Sequence, residues 1–173
     1  MTDDRATEGN KGDRGGARRG PGRLLALDSG TLHGTRCVTG HAMPLGALVA
    51  ELPLTRPRTT PDRYTIQIAP GRYIDPPGAL RHLNHSCVPN TFVDVKLGHV
   101  RTLRPVGEGE ALTFFYPSTE WEVVNPFRCA CGHRGCLGAI TGAHALPVEI
   151  LRRYALNDHI RELLGAREAS VRD

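Results

Sequence analysis

Three cysteines stand within eight residues, Cys129, Cys131 and Cys136, with glycines at 132, 135 and 138. Thiolates separated by one and then four residues can converge on one ion. Zinc takes four ligands in a tetrahedron, with Zn–S near ~2.3 Å. Three ligands leave one position for a distant residue or a water. Cys37, Cys87 and His133 are the candidates. Clustered cysteines in a chain without a secretory signal read as metal ligands before disulfides.

A second group of reactive types lies at residues 81–90, Arg-His-Leu-Asn-His-Ser-Cys-Val-Pro-Asn. Asn84, His85, Ser86 and Cys87 offer hydrogen-bonding groups and a soft metal ligand within one loop. A nucleophilic Cys87 is one reading. Reactive pairs usually assemble from distant segments, so a structural or metal-ligating Cys87 is the better one. A third segment, residues 107–116, runs from a charged turn into Leu112, Phe114, Phe115 and Tyr116. Alone it reads as a core strand ending in a buried tyrosine.

The elements that must position these groups are short. Apolar runs at 24–27 and 47–52 read as strands. Residues 64–68 alternate Tyr, Ile and Ile on one face with Thr and Gln on the other, the pattern of a half-buried strand. Residues 91–97 and 99–103 flank Gly98 as a hairpin, and Asp75-Pro-Pro-Gly78 is turn-rich. No βαβ rhythm and no phosphate-binding glycine loop is present, so the expected class is mainly β, built of several small sheets. From 147 to 164, apolar residues recur at helical spacing behind Pro147 and before Gly165, which predicts one amphipathic helix.

The chain has 173 residues, enough for one domain, and 39% are hydrophobic. No apolar stretch approaches the ~18–20 residues that span a bilayer. Residues 1–22 are Gly- and Arg-rich, too polar to bury surface, and read as a disordered tail. That start lacks an apolar core and cleavage site, so the expected compartment is cytoplasmic. The net charge of +4 is too mild to argue for nucleic acid.

Taken together and in order, the three segments resemble the SET-domain family. Residues 81–90 match its Arg-Phe-x-Asn-His-Ser-Cys-x-Pro-Asn loop except at His82. Residues 109–116 are similar to its Gly-Glu-Glu-Leu-Thr-Phe-Asp-Tyr strand, with Ala111 and Phe115 departing from it. Residues 127–138 resemble its post-SET segment. Tyr73-Ile-Asp75 and a weak glycine turn at His33-Gly34-Thr35-Arg36 extend the likeness over roughly 24–145.

The resemblance implies a SET fold of small β-sheets around a pseudoknot at 23–118. A post-SET zinc segment would follow at 119–145 and a C-terminal α-helix at 146–166. It implies protein-lysine N-methyl transfer from S-adenosylmethionine to a lysine-bearing protein. It assigns zinc to Cys87, Cys129, Cys131 and Cys136, leaving Cys37 free. Tyr116 would be catalytic. Gly34, Thr35, Arg36, Asn84, His85, Tyr116, Phe127 and Leu137 would hold the cofactor. Phe114 and Tyr64 would line the substrate channel, and a phenylalanine at 114 implies di- or trimethylation. The alternative is a weak or inactive SET-like module that binds a protein partner, separable by titrating S-adenosylmethionine.

Overall fold

The structure, a computed structural model, describes residues 25–31 and 34–170. The tail expected at 1–22 and His33 lie outside the described residues. Glycines and prolines interrupt the extended runs, and the strands they leave are short. In chain order these are β1 (Leu25–Thr31), β2 (Gly34–Thr39), β3 (Leu48–Glu51), β4 (Ile66–Ala69), β5 (Arg72–Ile74) and β6 (Asn84–His85). They continue with β7 (Thr91–Asp94), β8 (His99–Thr102), β9 (Thr113–Phe114), β10 (Phe127–Arg128) and β11 (Ala139–Ile140).

Strands β3, β8 and β7 form the one three-stranded sheet among the described residues. Its hairpin pairs Thr91 with Thr102 and Val93 with Val100, around Gly98 at φ +68°. Alternation puts Val93 and Val100 inside, both 0% exposed. They join Val49, Ile74, Leu112 and Cys37 in the first core. Cys37 is thus a buried core thiol, and burial pushes its pKa up to about 12. Antiparallel pairs β1–β2, β4–β5 and β10–β11 surround this core.

Strand β6 runs parallel to β9, pairing Asn84 with Thr113 and His85 with Phe114. Two residues make a weak ladder, and Asn90 extends it. This side chain, 1% exposed, accepts the Thr113 N–H at 2.7 Å and donates to the Ala111 carbonyl at 2.8 Å. The pair therefore brings the loop of Asn84–Cys87 beside the segment that ends at Tyr116.

Three expectations change. Strand β4 begins at Ile66, because Asp62 captures the Tyr64 N–H at 2.8 Å and the Thr65 hydroxyl bonds back to the Asp62 carbonyl. Such local bonds compete with a ladder. The polar face of β4 is not solvated either. Gln67 is 4% exposed, its carbonyl oxygen taking the Trp121 N–H at 2.8 Å. The helix predicted over 147–164 divides into α1 (Val148–Leu151) and α2 (Asp158–Ser170). Asn157 causes the break. Its amide donates to Val93 O and Ser118 O, and its oxygen accepts the Val95 N–H. Helix α2 then runs through Gly165, which keeps a negative φ and stops nothing.

Helix α2 buries Ile160 and Leu164 against Phe115, Ala143 and Leu151 in a second core. Gly142, at φ +126°, lies against the backbone of 121–122. A Cβ there would overlap the Trp121 carbonyl and come within 2.7 Å of Glu122 Cα. Gly142→Ala is therefore expected to cost about 3–5 kcal/mol through strain and displacement. A urea midpoint within experimental error of wild type would contradict that packing.

A candidate active site beside a four-cysteine metal centre

The fourth thiol comes from Cys87. Its Sγ, with those of Cys129, Cys131 and Cys136, forms a set in which all four atoms lie within 4.8 Å of one another. Cys87 Sγ and Cys129 Sγ are 3.9 Å apart. Tetrahedral zinc at ~2.3 Å from each sulfur requires sulfurs about 3.8 Å apart, so the donor set fits that ion. His133 stays outside this set, its Nδ1 accepting the Gly135 N–H at 3.2 Å.

Surrounding groups orient the Cys87 sulfur. It accepts the Leu137 N–H at 3.4 Å and faces His85 Nε2 at 3.4 Å. Burial depresses the His85 pKa to about 4, so the ring is neutral. Its Nδ1 accepts the Tyr116 N–H at 3.3 Å, which leaves the ring proton on Nε2, facing the sulfur. One imidazole thus ties the metal loop to Tyr116. From the far side, the Tyr154 hydroxyl donates to the Cys87 carbonyl at 2.9 Å. Its ring stacks on Phe115, with centroids 3.7 Å apart. Phe115, where the family has an acid, is the floor for that stack.

A cleft of about 820 Å³ opens next to the thiols. Arg36, Asn84, His85, Tyr116 and Phe127 line it, together with Glu120 and Cys129. The Phe127 ring lies 5.9 Å from those of His85 and Tyr116. Arg36 is tied to Asp28 at 2.6 Å across the β1–β2 pair. Of the other residues expected at the cofactor, Gly34, Thr35 and Leu137 are off the wall. Thr35 instead accepts the Asn84 amide on its carbonyl at 3.2 Å. Leu137 packs against the second core.

A narrower channel of about 30 Å³ meets the cleft. Tyr64, Ile66, Leu80, Leu83 and Phe114 line it. The Phe114 ring is 4.7 Å from Tyr116. Tyr64 takes Arg63 and Arg81 over its ring, each at 5.0 Å, and meets His82 edge-on at 5.5 Å. Tyr116 lines both cavities, and its hydroxyl donates to the Leu83 carbonyl at 2.9 Å. Burial, and then the nearby Glu120, raise its pKa, so the phenol stays protonated.

Sequence reasoning did not find Glu120. Its carboxylate is buried where the cavities join, and desolvation raises its pKa to about 7. Four residues after Tyr116, it carries no motif that would single it out. A raised acid favours the fold below its unfolded pKa near 4.5, and that contribution is lost as pH rises through about 7. His85, with its depressed pKa, acts oppositely, losing stability as pH falls. The difference between wild type and Glu120→Gln cancels His85. Between pH 5 and pH 8 wild type is expected to lose about 2.5 kcal/mol relative to the variant, or roughly 5–10 °C in Tm. Parallel Tm–pH curves for the two proteins would show that Glu120 is not a strained acid.

A broad cleft, a narrow channel meeting it at a protonated tyrosine, and a four-thiol site closing one wall are the parts of a SET-type methyltransferase. No family model matches the chain. Methyltransferase flvH of Aspergillus flavus is 39% identical over 132 residues, covering 75% of this chain and 74% of that protein. The chain belongs to this methyltransferase family, of the SET-domain type. A histone-lysine N-methyltransferase, H3 lysine-4 specific, of Aspergillus fumigatus is 35% identical over 68 residues, 35% of this chain and 6% of that one. A histone-lysine N-methyltransferase, H3 lysine-36 specific, of Schizosaccharomyces pombe is 33% identical over 113 residues, 59% of this chain and 13% of that one. This chain therefore spans only a small part of either histone enzyme.

Two crystal structures of KRYPTONITE share the fold. The complex with mCHG DNA and SAH matches at TM-score 0.53 and 22% identity, over 66% of this chain and 28% of that one. The complex with mCHH DNA, H3(1-15) peptide and SAH matches at 0.52 and 23%, over 70% and 31%.

Proposed function

We propose that this protein is a protein-lysine N-methyltransferase that takes its methyl group from S-adenosylmethionine and is held together by one structural zinc. The observation that carries the reading is the junction at Tyr116, where the broad cleft meets the narrow channel. Two of its relatives are histone-lysine enzymes, and a structural neighbour holds an H3 peptide and SAH.

S-adenosylmethionine supplies an electrophilic methyl when bound. Asn84, His85, Arg36 and Phe127 line the cleft that would hold it. The thiols of Cys87, Cys129, Cys131 and Cys136 would hold the zinc and fix that wall. The channel of Ile66, Leu80, Leu83 and Phe114 strips water from an incoming lysine, disfavouring its ammonium form. The Tyr116 hydroxyl and the Leu83 carbonyl then orient the amine, so alignment supplies much of the rate. Phe114, carrying no hydroxyl to hold a water, leaves space for a methylated amine to turn. Di- and trimethyl-lysine are the products this arrangement favours.

All five cysteines are unbridged, which suits a reducing compartment such as the cytoplasm. No helix among the described residues is long and apolar enough to cross a membrane.

The test is incubation of the zinc-loaded chain with methyl-labelled S-adenosylmethionine and a lysate of its host. The labelled acceptor is then identified, with Tyr116→Phe as control. Di- or trimethyl-lysine in wild type alone supports the reading. No label, with no S-adenosylhomocysteine binding by calorimetry, overturns it in favour of a binding module.

A further inference from the structure

We propose that Glu120 is the proton acceptor of the reaction, taking the proton of the lysine ammonium where the channel opens into the cleft. The inference rests on the lysine-methyltransferase reading above. Methyl transfer needs the neutral amine, so a proton must leave before each transfer.

Four residues line both cavities: Arg63, Thr65, Tyr116 and Glu120. Arg63 is a fixed cation. The Thr65 hydroxyl donates to the Asp62 carbonyl at 2.9 Å, and the Tyr116 hydroxyl to the Leu83 carbonyl at 2.9 Å. Glu120 alone among them can take up a proton near neutral pH.

Its two oxygens are treated differently. Oε1 accepts the Gln67 N–H at 2.9 Å and the Thr119 hydroxyl at 3.0 Å. Oε2 accepts no hydrogen bond among the described residues and is not one of their buried, partnerless atoms, so it is the oxygen left open to the cavity. An ammonium arriving through the channel supplies the missing donor.

The charged and titratable groups around Glu120 come from several elements. Tyr116 lies on its own segment, and Tyr73 on β5 feels its charge. Asp62 and Arg63 come from the turn before β4, and His85 from β6. His159 on α2 reaches the Thr119 carbonyl at 2.8 Å. Burial favours the neutral acid, and the hydrogen bonds from the Gln67 N–H and the Thr119 hydroxyl favour the ionised carboxylate. That balance keeps the acid titratable near neutrality.

In the step itself, an Nζ–H bond of the ammonium breaks and an O–H bond forms on Oε2. The electron pair stays on Nζ and becomes the nucleophile. An ion pair becomes a neutral amine and a neutral acid, which the burial of Glu120 favours. The proton then passes to solvent through the open cleft, restoring the carboxylate.

The experiment uses the zinc-loaded full chain and a synthetic peptide carrying the acceptor lysine identified above. A second peptide carries thialysine, whose amine is less basic. Glu120→Gln keeps a carbonyl oxygen for Gln67 and Thr119. At pH 7 its kcat is expected to fall about 100-fold, within the usual range for loss of a general base. Its rate should climb about tenfold per pH unit where wild type has levelled, and thialysine should restore it at least tenfold. S-adenosylhomocysteine affinity by calorimetry should stay within threefold.

A pH profile parallel to wild type without thialysine rescue, or a change confined to KM, overturns the assignment. If the Gln variant fails to bind S-adenosylhomocysteine, Glu120→Asp is measured instead. It should lose kcat yet keep the wild-type break in pH, and a shifted or absent break overturns the assignment as well. If wild type transfers no label at all, the lysine reading fails, and the inference falls with it. An active wild type with parallel profiles sinks the inference alone.

Discussion

Cys87→Ser, purified with zinc, is expected to carry no stoichiometric metal, to lose S-adenosylhomocysteine affinity at least 100-fold, and to become protease-sensitive between residues 121 and 140. The thiols are the main support of that segment. Strands β10 and β11 contribute two residues each, and Phe127 and Arg128 are exposed. Among the described residues, the second core reaches the segment through Leu137 and Trp121, and Ile140 is the segment's one fully buried side chain. Binding energy at structural zinc sites, about 10–16 kcal/mol in small zinc-binding peptides, is folding energy for whatever the ligands connect. Removing one of four thiolates takes away most of it. The affinity falls too, because Phe127, Cys129, Ala130 and Cys131 form one wall of the cleft. The first core, centred on Val49, Val93 and Leu112, contains none of the four and should remain folded. Metal analysis, calorimetry and limited proteolysis read the three effects separately. A metal-free chain with intact affinity and a resistant 121–140 segment would remove zinc from the account.

Tyr116→Phe is the second large effect, and of a different kind. A kcat loss of about 100- to 1000-fold is expected, with S-adenosylhomocysteine affinity within twofold and stability lowered by about 1 kcal/mol. The hydroxyl makes one hydrogen bond, to Leu83 O, and the ring keeps its neighbours Phe114, His85 and Phe127 in the variant. The loss therefore falls on orientation of the amine. Single-turnover methylation against product mass locates it in the chemical step. A kcat within threefold of wild type would show that Leu83 O and the channel walls position the amine unaided.

Much of this site is legible in local sequence. Cys129, Cys131 and Cys136 announce themselves because one and four intervening residues are a ligand spacing. Asn84 to Cys87 and Thr113 to Tyr116 are equally local, although only resemblance to a family singles out Cys87 over Cys37 or His133. What escaped reading is made by distance along the chain. Glu120 matters because Gln67, 53 residues away, fixes one of its oxygens. Tyr154 matters because it reaches Cys87 across 67 residues. Periodicity over 147–164 describes two helical pieces correctly and their join wrongly. Asn157 spends its side chain on Val93 O, 64 residues away, and no helical pattern encodes that.

The Tyr154 bridge to the Cys87 carbonyl sets an order of assembly during translation. Cys87 emerges from the ribosome 42 residues ahead of its partner Cys129, and further still ahead of the aromatic that braces its loop. A nascent chain holding only the first core can fold around Val93 and Val100 while its lone metal-binding thiol waits. Ion capture closes a long loop, and the loop is secured when Phe115 and Tyr154 meet. Ribosome-stalled intermediates ending near residue 146 should therefore hold zinc weakly, and chains extending past residue 164 should hold it firmly.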